Sequence, residues 1–543
     1  MKTLITTLNS KFIHTSLSLR LLYVASKDHC DVSFKEYTIK DDIHHIVEDI
    51  IDSRSDIVAW SCYIWNIEYI QDICSLLKQR KPEIIFILGG PEVTYEPAYF
   101  LNHFQVDYIM SGEGEETFPK LINAIENHES INIAGVSYHG HIAKERTCSD
   151  LSFIEKLDSP YDLPQDRKDM SHRILYFETS RGCPFQCQYC LSSLEKGMRF
   201  FSEEYLKNQL DIICHSQART IKLLDRSFNA NVHHAIMILD YIFKNHQEGQ
   251  QFQFEINADV LQQPIIDFIK EHAPQGLLRF EIGIQSTYEP TNKAVQRIQN
   301  FERLSEVIKQ FMEDGRCDLH LDLIAGLPYE SYERFQKSFD DVFAFRPKEL
   351  QLGFLKLLRG TSLRNDADDY GYLYQENTPY EMIENKWLSQ QDVQRIHIAE
   401  DMLEKYWNSG RFEKTMNKIM DSQESPFDFF YRLGCFYREH HYKTIGYQTY
   451  ELFQYLDSFL QDEILHDLLI EDYLKQMKVK PKKWYQPTLT VPQRKEIIKK
   501  LSHKYQLDQQ ELFRYAIIEK LHQGYLVAIY KDFKCQFNIY PKD

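Results

Sequence analysis

No stretch of the 543-residue sequence approaches the roughly 20 consecutive apolar residues of a membrane-spanning helix. The opening residues, MKTLITTLNS, lack the long apolar core of a secretory signal, and TLITTL reads instead as a first strand. Positive charge is short as well: 63 Lys and Arg face 80 Asp and Glu, a net charge of -17. Such a surface repels phosphate backbones, and no local basic patch offsets it, which argues against nucleic acid as a partner. Internal repeats and low-complexity tracts are absent, and so are a GxGxxG fingerprint and a P-loop with its lysine. What is left is the profile of a cytoplasmic protein with no membrane partner, long enough for roughly two to four domains.

Cysteine is present but mostly dispersed. Of the 11 cysteines, eight are scattered, several inside apolar segments such as QDICSLL and LDIICHS. In a reducing compartment these read as small buried hydrophobes rather than disulfide partners. The other three, Cys183, Cys187 and Cys190, lie together in SRGCPFQCQYC. Accident at that one spacing amounts to below roughly one per cent, so the cluster needs its own explanation.

Along the chain, residues 1–135 alternate strand-like runs (KTLITTL, DVSFKEYTI, DIVAWSCYI, EIIFILGG, VDYIMSG) with helix-period runs. That alternation predicts a parallel, doubly wound α/β sheet of the Rossmann type. A hairpin-like segment, INIAGVSYHGHIAKE, and a linker rich in Pro and Asp fill residues 136–171. Alternation then restarts over residues 172–365 with ILYFETS, TIKLLDRSF, QFQFEINA, LLRFEIGIQS, DLHLDLIAG and ELQLGFLKLL. Roughly six β/α units predict a partial (β/α)6 barrel of TIM type rather than the full eight. Residues 366–543 read as mostly α-helical, aromatic-rich and closed by a strand pair around GYLVAIYKDF.

Three uses compete for the clustered thiols. A structural zinc site wants four closing ligands, and no second Cys pair exists. A disulfide leaves one thiol over. An iron–sulfur cluster is ordinarily held by four thiolates, so three would leave one iron open, and an open metal position serves catalysis rather than structure. Gly182 and Pro184 suit a tight loop around such a group.

The spacing Cys183-x3-Cys187-x2-Cys190 after the first barrel strand, with Tyr189 before the third Cys, resembles the radical S-adenosylmethionine (SAM) superfamily. The resemblance implies that Cys183, Cys187 and Cys190 ligate a catalytic [4Fe-4S] cluster whose open iron chelates SAM for reductive cleavage. Catalysis in barrels sits at the carboxyl ends of the strands. There the sequence places Asp225, Arg226 and Asn229 (LLDRSFN), Glu255, Asn257 and Asp259 (FEINAD), Glu281, Gln285 and Ser286 (FEIGIQS), and Asp322 and Gly326 (LDLIAGLP). Polar groups at one end of successive strands predict a hydrated cavity, since buried polar groups must be paired. By resemblance, Glu281, Gln285 and Ser286 belong to the ExGxQS strand that contacts SAM. Gly326 marks the segment that admits the adenine, and Asp225 and Glu255 stand where amino or ribose contacts occur.

In the first domain, Gly89 and Gly90 (ILGGPEV) and Gly112, Glu113 and Gly114 (SGEGEETF) sit at strand ends, where glycine permits close backbone approach to a ligand. A doubly wound sheet with LGGP and GEGE ahead of the barrel resembles the cobalamin-binding radical SAM proteins, and the C-terminal region an uncharacterised extension of some members. The resemblance implies cobalamin cradled by these five residues. It also implies methylation of an unactivated carbon in a small-molecule or peptide substrate, with a flavodoxin or ferredoxin as reductant. The Asp-x-His-x-x-Gly motif that supplies a cobalt ligand is absent; His14 lies in the matching loop without the Asp and Gly and reads as an ordinary loop residue.

Alternatives are a radical SAM enzyme whose first domain binds no cobalamin (cyclase, oxidative or methylthiotransferase-type chemistry) and a non-catalytic iron–sulfur or cobalamin sensor. Methylthio transfer to tRNA calls for further cluster cysteines and a basic RNA domain. Here Cys30, Cys62 and Cys74 fall inside predicted elements of an acidic chain.

Overall fold

The computed structural model describes residues 1–195, 197–422 and 425–542. The chain forms two compact units, one of Met1–Ser331 with Gly353–Ser389, the other of Tyr332–Leu352 with Gln390–Asp543.

The first unit begins with the expected doubly wound sheet. Strands β1 (Thr3–Asn9), β2 (Val32–Thr38), β3 (Ile57–Ser61), β4 (Ile85–Gly89) and β5 (Tyr108–Met110) run parallel, and β6 (Val136–Tyr138) joins antiparallel, in the order β2-β1-β3-β4-β5-β6. β1 and β3 are buried along their whole length, as strands covered by helices on both faces must be. One core gathers Trp60, Phe86 and Phe100, the other Ile5, Ile87 and Phe118. Strand order reverses between β1 and β3, and the carboxyl ends there open a crevice, the usual ligand position in such sheets. The hairpin-like stretch contributes only β6, with Tyr138 bridging to His141 across a tight turn.

Next come β7 (Ile174–Phe177), a short antiparallel pair β8 (Ser180–Arg181) and β9 (Arg199–Phe200), then β10 (Thr220–Leu223), β11 (Gln251–Ile256), β12 (Leu278–Gln285), β13 (Asp318–Ala325) and β14 (Glu349–Phe354). The six long strands form one sheet in the order β14-β13-β12-β11-β10-β7, a partial barrel. Intervening helices begin where Ser202, Asn231 and Asn300 accept backbone N–H groups, satisfying donors the first turn leaves open. Along β12 the burial alternates: Leu278, Phe280, Ile282 and Ile284 are buried, and Arg279, Glu281, Gly283 and Gln285 stand on the other face. Register sets Glu255 beside Glu281 and Glu281 beside His320.

The second unit is mostly helical, as expected, and its aromatics pack on one another, for example Phe339 on Phe427 and Phe412 on Phe453. Its terminal sheet has three antiparallel strands rather than two, Ala516–Leu521, Gly524–Lys531 and Lys534–Tyr540. The third alternates exposed and half-buried residues, so KCQFNIY carries little apolar signal. Among the described residues no helix is long and apolar enough to cross a membrane.

Candidate functional site

The cysteine loop hangs between β8 and β9, which pair Ser180 with Phe200 and Arg181 with Arg199. Its neck requires glycine: Gly182 has φ 91°, and a Cβ there would stand 2.0 Å from the Gly197 carbonyl oxygen. All three thiols are free, with Cys187 buried and Cys183 and Cys190 half-buried. The chain turns back on itself where Cys190 N donates to Cys187 O at 3.1 Å. Burial raises the Cys183 pKa, and the neighbouring Cys190 and Cys187 add to it. The Arg297 guanidinium is placed against them, with Nη1 at 3.9 Å from Cys187 Sγ and 3.4 Å from Tyr189 Oη and Nη2 donating to Gly283 O. Three free thiols on one short loop, one of them beside a fixed cation, are the donor set an anionic metal–sulfur group with three protein ligands needs.

Under the loop lies Asp225, 1% exposed. Its Oδ1 accepts from Thr179 Oγ1 (2.6 Å) and Ser180 Oγ (2.5 Å), and its Oδ2 from Thr179 N (3.1 Å). Since the Thr179 hydroxyl proton goes to Asp225, His234 Nε2, 2.9 Å away, is the donor to Thr179 Oγ1. Burial pushes the Asp225 carboxyl up to about 6. Three of its acceptor positions are thus engaged by the strand that leads into the cysteines. Ser286 is likewise fully buried; its hydroxyl donates to Glu330 (2.7 Å) and accepts from Tyr288 N (3.0 Å).

Gln285 differs. It sits at the register shift between β12 and β13 with φ 67°, and its buried Oε1 has no hydrogen-bond partner among the described residues. Gln285 thus keeps a buried acceptor that the chain leaves open. Glu281 accepts from Gln253 Nε2. Glu255, 3.9 Å from Arg226, is pushed up to about 7 by burial, with Glu281 and Asp322 adding to the rise. Glu281, His320 and Asp322 bring potential metal-ligating atoms within 4.8 Å of one another. Arg279 Nη2 lies 3.1 Å from His320 Nδ1, and because an arginine only donates, Nδ1 accepts and the proton sits on Nε2, which faces Asp322 Oδ1 at 3.1 Å. Gly326 (φ 98°) is approached by Met382, 2.9 Å from where a Cβ would stand, and its carbonyl accepts from Tyr372 and Asn385.

A cavity of about 580 Å³ opens at the ends of β1, β3, β4 and β5, lined by Gly89, Gly90, Gly112, Glu113 and Gly114 and, from the barrel, by Tyr176, Glu178 and Arg181. The glycines divide by role. A Cβ at Gly90 would meet Cys62 O at 2.6 Å and one at Gly112 would meet Thr147 O at 2.3 Å, so these two serve chain packing, whereas Gly89 has nothing nearer than 3.9 Å. His14 also lines the cavity, its Nδ1 2.7 Å from Tyr176 Oη, and burial lowers its pKa. Small residues on a mainly apolar wall fit a large, flat cofactor such as a corrin. Arg181, Arg297, Tyr176 and His320 escaped the sequence reading; Arg181 alone carried a signal, its place beside Gly182 and Cys183.

Residues 3–122 match the B12 binding domain family, residues 177–342 the Radical SAM superfamily and residues 368–537 a family described as a protein of unknown function, DUF4080. The chain is 26% identical over 302 residues to the 2-(S-pantetheinyl)-carbapenam-3-carboxylate methyltransferase of Streptantibioticus cattleyicolor, across 52% of this chain but only 44% of that relative, less than half its length. It shares the fold of the cobalamin-dependent S-adenosylmethionine radical enzyme OxsB (TM-score 0.60, 16% identity, 87% of this chain and 75% of that one). It also shares the fold of the radical S-adenosylmethionine methyltransferase TsrM from Kitasatospora setae (TM-score 0.58, 14% identity, 70% and 78%). With these three matches in order along one polypeptide, the chain is a radical SAM protein that carries a B12 binding domain and a DUF4080 region.

Proposed function

We propose that the protein is a cobalamin-dependent radical SAM enzyme that methylates an unactivated carbon of a small-molecule or peptide substrate, drawing electrons from a flavodoxin- or ferredoxin-type donor. The observation that carries this reading is the meeting, within one unit, of a three-thiol loop and a glycine-walled cavity that share Arg181 and its carboxylate partners. When bound, a [4Fe-4S] cluster with SAM supplies one-electron cleavage chemistry and cobalamin a transferable methyl group.

The residues divide the work. Cys183, Cys187 and Cys190 hold the cluster, and Arg297 offsets the charge of the thiolates. Gln285 offers its free acceptor to SAM, and Glu255 and Glu281 face the same lumen. Gly89 leaves room on the cavity wall, Gly114 lets Leu22 and Met110 pack close beside it, and Gly90 and Gly112 keep the loops that shape it.

Anaerobic reconstitution with iron, sulfide and hydroxocobalamin tests the reading. Wild-type protein should keep corrin absorbance after desalting and cleave SAM when reduced; Cys187→Ala should keep the corrin and lose the cleavage. A desalted spectrum without corrin bands would refute the cobalamin part, and SAM cleavage by Cys187→Ala would refute the cluster part.

A further inference from the structure

Glu113 stands on the cavity wall, but its carboxylate is engaged elsewhere. Oε2 accepts from Arg181 Nη1 (3.0 Å), Ser149 N (2.8 Å) and Arg199 Nη1 (3.3 Å), and Oε1 from Arg199 Nη2. A carboxylate has about four acceptor positions, so these donors fill it. Its backbone is held too: Glu113 N donates to Thr147 O at 3.0 Å, and Thr147 Oγ1 donates to Glu113 O at 2.7 Å. Glu115 repeats the pattern, accepting from Arg181 Nη2 (2.6 Å) and Ser149 Oγ (3.0 Å).

The two arginines are directly opposed in the β8–β9 register, at the two feet of the cysteine loop. One carboxylate from the β5 loop therefore grips both feet at once. Every side chain in the grip is mostly buried: Arg181 is 10% exposed, Glu113 13% and Glu115 8%, with Arg199 the most open at 32%. Charge-assisted hydrogen bonds of this kind are the stronger sort, and bidentate arginine contacts fix direction as well as distance.

We infer that Glu113, seconded by Glu115, is a positioning residue that anchors the cysteine loop to the wall of the cavity, rather than a contact for the molecule the cavity holds. The inference takes the cavity and the loop as the two cofactor sites proposed above. It means that the carboxylates of the GEGE motif, with Glu178 also on Arg181, tie the loop to the wall of the cavity.

The test compares wild type, Glu113→Gln and Arg199→Gln, each reconstituted with iron, sulfide and hydroxocobalamin. Amide hydrogen exchange of Gly182–Glu195 and corrin absorbance after desalting are read on the same samples. Arg199 is not among the residues lining the cavity, so its variant reports on the loop alone. Loss of one or more charge-assisted bonds should speed exchange about tenfold in both variants, with corrin retention as in wild type. A Glu113→Gln protein that loses corrin while its loop exchanges at the wild-type rate would overturn the inference. So would wild-type exchange rates in both variants. Wild-type protein that retains no corrin would sink the proposed function, but the exchange comparison would still decide the role of Glu113.

Discussion

Replacing Asp225 by Asn tests the account of what holds the cysteine loop from below. The carboxyl is 1% exposed and accepts three hydrogen bonds, yet burial still outweighs them and lifts its pKa from an ordinary 3.8 to about 6. A group that holds its proton more tightly folded than unfolded contributes stability that is complete below about pH 4 and is lost as the pH rises to about 6. The gap between the two values corresponds to about 3 kcal/mol, of which about 2 kcal/mol falls between pH 4.5 and 7.5. Asn does not titrate, so its cost does not follow pH. One end of the amide is a donor facing the donors of Thr179 and Ser180, which costs about 1–3 kcal/mol at any pH. Wild type should therefore exceed Asp225→Asn in stability by about 2 kcal/mol more at pH 4.5 than at pH 7.5. Urea unfolding of the cluster-free proteins measures this at two pH values that straddle the isoelectric point near 5.7. An advantage that is equal at both pH values, or larger at pH 7.5, would refute the reasoning.

Two further outcomes follow from the same geometry. Gly89→Leu adds a side chain on the cavity wall where the nearest atoms leave 3.9 Å, so the protein should fold and load iron normally while corrin retention after desalting falls; undiminished retention would place the ligand elsewhere. In the second unit, Glu519 is fully buried and accepts from Lys483, Tyr485 and both the N and Oγ1 of Thr488. Glu519→Ala should cost about 3 kcal/mol in urea unfolding followed by Trp484 fluorescence, and a change below about 0.5 kcal/mol would count against a structural role.

The layered architecture was legible because parallel strands buried on both faces read as continuous apolar runs, as TLITTL and IVAWS do. The cysteines were legible because their spacing is local. Roles decided by distant partners were not. Nothing near Asp225 announces Thr179, nothing near Ser286 announces Glu330, and Arg297 reaches Cys187 from 110 positions away. The GEGE loop was half legible: glycine at strand ends signals close approach, but whether the carboxylates between them face a ligand or the chain depends on Arg181 and Arg199, which only the β8–β9 pairing brings together. The last strand was missed for a different reason, since an edge strand of alternating exposed residues has no apolar run to show.

The polar residues around the site separate by how much bonding capacity the chain leaves them. Ser286 and Glu113 are filled by their neighbours and Asp225 accepts three hydrogen bonds, and all three hold backbone that carries something else: the approach to the cysteines, the turn after β12, the feet of the loop. Gln285 and Glu255 keep capacity, the first through an unanswered buried oxygen, the second through a side chain still 37% exposed inside the barrel and a carboxyl lifted to about 7. A donor brought by a ligand would relieve both. Strand-end position and family resemblance nominated these residues; we propose, from remaining acceptor capacity, that Gln285 and Glu255 contact a ligand and that the other three support the chain.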